Sequence, residues 1–265
     1  MMRVSQIQSS LGIEDIGLDK RSSVLLIVWL LAMIGLPIAR WVLGDAAVPY
    51  LVFLAALLQA GAVYSITLRH WGHKRSLAVF VSVAILTWLA EAIGSKTGFP
   101  FGAYSYTEVL QPQILGVPLL IPFAWFMMLP PSWAVASAIL RKHSAASRFL
   151  LFPLMSAIAI TAWDLFLDPQ MVQWNFWVWG NPEGYFGIPW SNYAGWLLTA
   201  GVITLIIRPA PLPLMPLGLV YGLVWVLQSI GQAFFWNQPG PALVGFIVMG
   251  AIFMTAALRL RSVKQ

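Results

Sequence analysis

Three acids in this chain stand where acids are costly. Glu91 lies near the end of the apolar run 77–94, which carries no other charge, and Asp164 lies near the end of the run 149–167, with Asp168 four residues later. A carboxylate at membrane depth is expensive, so by default it marks a site with a purpose. Thr161, Asp164 and Asp168 are spaced i, i+3, i+7, and Gln228 and Gln232 are spaced i, i+4, so each set shares one helix face. A carboxylic acid kept protonated by apolar surroundings can protonate an alkene, and aromatic faces beside it can hold the resulting carbocation. Aromatic faces are abundant here: Trp163, Trp174, Trp177, Trp179, Trp190 and Trp196 fall within 34 residues. That combination suits an enzyme acting on a lipid-soluble polyene. It suits a transporter of organic cations equally well.

The acids are bordered by two loops unlike the rest of the chain, residues 97–106 (TGFPFGAYSY) and 174–196 (WNFWVWGNPEGYFGIPWSNYAGW). Tryptophan belts at a membrane surface are ordinary. A belt, however, needs no Gly180-Asn181-Pro182 turn and no Phe-Gly and Pro loops. Such features predict folded loops at membrane depth, tolerated only where protein or a cavity surrounds them. The blander reading of the polar residues is that they hydrogen-bond one another and hold helices together. It serves the glutamines better than the acids, because such ties rarely require carboxylates. A short echo links the loops: an acid leads into FPFG-x-Y in the first, and two acids lead into YFG-x-P in the second.

The elements that must position these residues follow from composition. Hydrophobic residues make up 60% of 265 and charged residues 9%, with a mean hydropathy of +0.80, whereas a soluble domain has roughly a quarter charged residues. The chain reads as an all-α integral membrane protein, because no alternating pattern of about ten residues suggests a barrel. With no cysteine, disulfides, thiolate chemistry and Cys-ligated metals are excluded. His70, His73 and His143 lie beside Lys or Arg in polar loops, and no metal site is expected. The net charge of +6 is no nucleic-acid signal, since topology explains it.

Eight apolar runs are long enough, or nearly so, to span: 24–43, 47–68, 77–94, 114–140, 149–167, 188–207, 214–236 and 242–258. Threaded in order, they place 13 of the 15 Lys and Arg residues on one side and only Arg40 and Lys96 on the other. This bias predicts a cell (cytoplasmic) membrane protein with both termini in the cytoplasm and the acids in the outer half. Gln228, Gln232, Asn192 and Tyr193 fall at the same depth, which implies a polar pocket under the outer surface. A cytoplasmic tail 1–23, one transmembrane domain 24–258 and a cytoplasmic tail 259–265 complete the organisation. Residues 1–20 read as too polar for a signal peptide and suit either an interfacial helix or a frayed tail.

At this point the motifs become specific. Glu91-x-x-Gly94-x-x-Thr97-Gly98-x-Pro100-Phe101-Gly102-x-Tyr104-x-Tyr106, then Asp164-x-x-x-Asp168-Pro169, Trp177-x-Trp179 and Tyr185-x-Gly187-x-Pro189-x-x-Asn192-x-x-Gly195-Trp196, occur in that order. The stretch resembles a family of carotenoid-biosynthesis membrane proteins, the cofactor-independent hydratases of γ-carotene and of bisanhydrobacterioruberin. The resemblance covers roughly residues 85 to 200. It implies addition of water across the terminal 1,2 double bond of an acyclic (ψ) carotenoid end, giving a tertiary alcohol, without cofactor. The carotenoid, the bilayer and other enzymes of the pathway would be the partners.

In that reading Asp164, Asp168 and Glu91 are the catalytic candidates, with the aspartates favoured as the pair nearest the alkene. Tyr104, Tyr106, Thr161, Trp163, Trp174, Trp177, Trp179, Tyr185, Asn192, Trp196, Gln228 and Gln232 are the candidates for holding substrate. A pI of about 9.8 points away from a halophile's acidic proteome and towards a bacterial γ-carotene or lycopene. The alternative is a transporter or binding protein for a hydrophobic or cationic ligand, which predicts helices broken at the midplane by Pro37, Pro118, Pro122, Pro130 or Pro131. A structural partner of other pigment enzymes would leave the acids unexplained.

Overall fold

Gly72 decides how many times the chain crosses. The computed structural model describes residues 17–261, and its helices are α1 (Lys20–Leu43), α2 (Val48–Thr97), α3 (Leu120–Ile139), α4 (Ala145–Gln173), α5 (Trp190–Ile207), α6 (Leu214–Phe234) and α7 (Pro239–Arg261). At 50 residues, α2 would be about 75 Å long if straight, more than twice a bilayer core. It is not straight, because Gly72 has φ 74° and ψ 170°, a conformation outside the helical region. The rings of Tyr64 and Phe80 lie 6.1 Å apart, whereas sixteen residues of straight helix would separate them by about 24 Å. The chain therefore folds back at Gly72. Among the described residues, seven helices long and apolar enough to cross a membrane thus supply eight crossing segments, and the protein is a multi-pass membrane protein.

Local chemistry sets most boundaries. Asp19 caps α1 by accepting from the Ser22 N–H at 3.0 Å, and Ser144 caps α4 through the Ser147 N–H at 3.2 Å. Gly98, in the left-handed region, ends α2 and returns its N–H to the Gly94 carbonyl. Two expected spans are redrawn. The run 114–140 becomes helical only at Leu120, because Leu115 and Gly116 both take positive φ. They turn the chain between strands β2 (Gln113–Ile114) and β3 (Val117–Pro118) in a two-residue hairpin. The run 149–167 underestimates α4, which continues to Gln173 and carries Asp168 on the same helix as Asp164. The reading of residues 1–16 as an interfacial helix or tail lies outside the described residues.

Helix α3 is the centre of the bundle: 78% of its most apolar window is buried, against 33% for α1, α6 and α7. It packs along α2, α4 and α6. Stacking of Trp125 on Trp196 (4.1 Å, 10°) joins it to α5, and the Trp133 indole donates to Thr204 at 2.8 Å. The helices run through Pro37, Pro122, Pro130 and Pro131 without interruption. Pro118 lies in strand β3, where the run 114–140 is not helical, and among the described residues the helices are not broken at the other four. Of the described Lys and Arg residues, only Arg40 and Lys96 stand at the end of the bundle that carries the two aromatic loops.

Candidate active site

Strands β1 (Tyr104–Tyr106) and β4 (Trp177–Trp179), one from each aromatic loop, pair antiparallel with Tyr104 opposite Trp179 and Tyr106 opposite Trp177. A strand directs alternate side chains to one face, so these four rings face the same way. Directly before β1, the Phe101 ring enters a notch that only glycine permits. A Cβ on Gly94 would lie 2.8 Å from that ring, and one on Gly195 would lie 2.6 Å from it. The glycines of both sequence motifs thus let α2 and α5 close on one phenylalanine. Ser191 donates to the Phe101 carbonyl at 2.9 Å and fixes the loop.

Beneath this lid the three acids converge. The hydroxyls of Tyr104 and Tyr106 donate to Glu91 Oε2 at 2.5 and 2.8 Å, and the Trp125 indole donates to Oε1 at 3.3 Å. Burial first, and then the Glu91 carboxylate, push both phenols above the ordinary tyrosine range, so they remain donors. Asp168 accepts from the Trp177 indole at 2.8 Å through Oδ1. The Asn192 amide bridges the two aspartates, donating to Asp164 Oδ2 at 2.8 Å and to Asp168 Oδ2. Asp164 Oδ1, fully buried, has no hydrogen-bond partner among the described residues, nor has the Tyr193 hydroxyl. Among the described residues, no group of three or more His, Cys, Asp and Glu is arranged to hold a metal ion.

Two neighbouring cavities give the acids their setting. A small one of about 30 Å³ is lined by Glu91, Asp168, Asn192 and the rings of Phe101, Tyr104, Tyr106, Trp125, Trp177, Trp179 and Trp196. It has room for a water molecule or two, and Asp164 is not on its wall. The other, about 510 Å³, shares Ile121, Ala124, Leu167 and Trp177 with the first and is lined almost wholly by apolar and aromatic side chains. Its size is that of a drug-like ligand site. A further cleft, of about 810 Å³ beside Arg40, Asp45 and Glu108, carries none of the three acids. The mouth of the 510 Å³ cavity is held by weak contacts. Arg40 lies 5.5 Å over the Trp236 ring, and the Trp41 and Phe235 rings are 5.9 Å apart, contacts of about 0.5–1 kcal/mol each when exposed.

The structure brings many of the sequence candidates to the loop end of the bundle, but not all into one place. Glu91, Asp168, Asn192, Tyr104, Tyr106, Trp177, Trp179 and Trp196 form the small cavity. Trp163, Trp174 and Gln228 line the large one. Gln232 ties helices, donating to the Phe166 carbonyl at 2.6 Å, and Tyr185 donates to the Leu165 carbonyl at 3.2 Å. The buried Thr161 hydroxyl has no partner among the described residues. Sequence reasoning passed over Trp125 and Phe101. The signal for Trp125 was available: an indole in mid-helix, away from either surface belt, needs an acceptor.

Fold and site together describe a membrane-embedded family, and comparison identifies it. Residues 50–211 match the family model for carotenoid biosynthesis proteins, and the chain belongs to that family. It is similar to the bisanhydrobacterioruberin hydratase of Haloarcula japonica, at 31% identity over 134 residues, 50% of this chain and 45% of the relative. The match thus spans less than half of that relative's length. No solved structure matches the chain.

Proposed function

We propose that the protein hydrates a carotenoid, adding water across the terminal 1,2 double bond of an acyclic ψ-end of the γ-carotene or lycopene type. One observation carries this reading: two carboxyl groups from different helices, Glu91 and Asp168, border a small aromatic cavity that shares wall residues with a larger apolar one. An acid delivers H⁺ to C2, and the π electrons of the 1,2 bond form the new C–H bond. The tertiary cation at C1 is held by the surrounding ring faces. Water adds to C1 and loses its proton to a carboxylate, giving the tertiary alcohol. Atoms and charge balance with no redox partner.

The hydrogen bonds divide the roles. Glu91 faces three donors, the arrangement of an acceptor, and suits the group that takes the proton from water. Asp168 shares the Asn192 amide with Asp164, so the pair suits the storage and delivery of a proton. The reacting pair is thus Asp168 with Glu91, and Asp164 supports Asp168 from behind Asn192. The name of the Haloarcula relative supports hydration. The basic composition favours a bacterial C40 substrate over a C50 one. The uneven distribution of Lys and Arg favours cytoplasmic termini in the cell membrane, with the site near the outer face.

The test is expression in a cell that makes lycopene or γ-carotene, followed by mass analysis of the pigments with H₂¹⁸O or ¹⁸O₂ supplied. One added water per ψ-end, labelled from H₂¹⁸O, is expected. Label from ¹⁸O₂ would overturn the proposal.

A further inference from the structure

The 510 Å³ cavity has a wall that is also membrane surface. Ile34 (51% exposed), Ile38 (54%) and Trp41 (68%) of α1 and its end line it from one side, and Ile230 (47%) and Phe235 (38%) line it from the other. Lining residues as exposed as these bring the cavity to the lipid-facing surface of the bundle. The opening lies between α1 and α6, the two helices joined at their loop ends by the Arg40–Trp236 and Trp41–Phe235 contacts alone among the ring contacts of the described residues. Pro37 stands in the same stretch of α1 and removes a backbone hydrogen bond from it.

We propose that the seam between α1 and α6 is a lateral port through which a polyene passes from the bilayer, and that the unreacted length of the polyene stays lodged in it during reaction. This rests on the hydration reading for the identity of the occupant. The cavity is large enough for a drug-sized portion of a ligand, so the remainder of a long chain must leave it, and the only apolar surroundings it can leave into are lipid. A hydrocarbon that lives in the bilayer has no reason to cross the polar loops when a side opening leads to the same cavity. Residues 33–41 and 227–236 then act as the port, with Arg40 as the clasp at its outer end.

The chain has no cysteine, which makes a clean test available. In the full-length double variant Ile38→Cys and Ile230→Cys, the port is closed with a flexible bis-maleimide before or after incubation with lycopene in lipid nanodiscs. Binding is read by energy transfer from tryptophan to the polyene, and hydration is read separately by pigment mass. Closure before loading is expected to slow uptake by about tenfold or more, as for a gated step. Closure after loading is expected to trap polyene through detergent washing, an effect that mere damage to the fold would not produce. Equal uptake by closed and open protein, or release of polyene from protein closed after loading, overturns the proposal. So does failure of the two positions to crosslink, because both border the one opening. If uptake and trapping behave as expected but no water is added by the uncrosslinked protein, the hydration reading fails and the port stands.

Discussion

Glu91 and Asp168 reach one cavity from two helices, with Asp164 behind Asp168, and their surroundings differ in kind. Glu91 is met by two phenols and an indole, each from a different position in the chain, so its orientation is fixed from several sides. The aspartates share the amide of Asn192, Asp168 takes a second bond from the Trp177 indole, and one oxygen of Asp164 is left without a partner among the described residues. A carboxylate surrounded by donors is built to accept, while two adjacent carboxyl groups with fewer donors than oxygens are built to hold a proton between them. The proposed hydration requires both behaviours in one turnover, and the two sequence motifs would supply one each.

The comparison breaks most directly at its two ends. Glu91→Gln and Asp168→Asn are each expected to lower hydration by about 10²-fold or more with the protein still folded, as loss of a general acid or base does. Pigment mass analysis normalised to extracted protein reads this, and near-normal activity in either variant would remove that residue from the reaction. Gly195→Ala tests the frame both share. Its new methyl would meet Phe101 at 2.6 Å and the Pro100 carbonyl oxygen at 2.8 Å, so a loss of stability of about 1–3 kcal/mol is expected from overpacking, measured by thermal unfolding in detergent.

Smaller effects sharpen the assignment. Because Asp164 stands behind Asn192, Asp164→Asn is expected to cost about tenfold, or about 1.4 kcal/mol in barrier, less than Asp168→Asn. A loss as deep as that of Asp168→Asn would make Asp164 the proton donor and restore the pairing that helix periodicity alone favours. Smallest are the donors to Glu91. Tyr106→Phe removes a 2.8 Å bond and Trp125→Phe a 3.3 Å one, so the first should lower turnover several-fold and the second less, since a long bond contributes little. The reverse order, read from the same pigment assay, would show that the indole and not the phenol orients Glu91.

What the sequence determined by itself was the medium, the number of crossings and the identity of the costly groups. Hydropathy forces apolar runs into lipid, and backbone satisfaction there forces helices, so even the Gly72 break was anticipated as a gap between two runs. The acids were legible because charge is rare at that depth. Helix periodicity could place Asp164 and Asp168 on one face, but it is silent about which helix comes to meet that face. Tertiary structure decided that Glu91 and Asp168 border the small cavity while Asp164 does not, that Trp125 from an unmarked apolar run donates to Glu91, and that the two aromatic loops pair as strands. These bring together residues 34 to 77 positions apart, set by how glycine notches let helices approach and by which aromatic fills the space between them. No local pattern encodes such distances, because packing is a property of facing surfaces and each surface is only half of the contact.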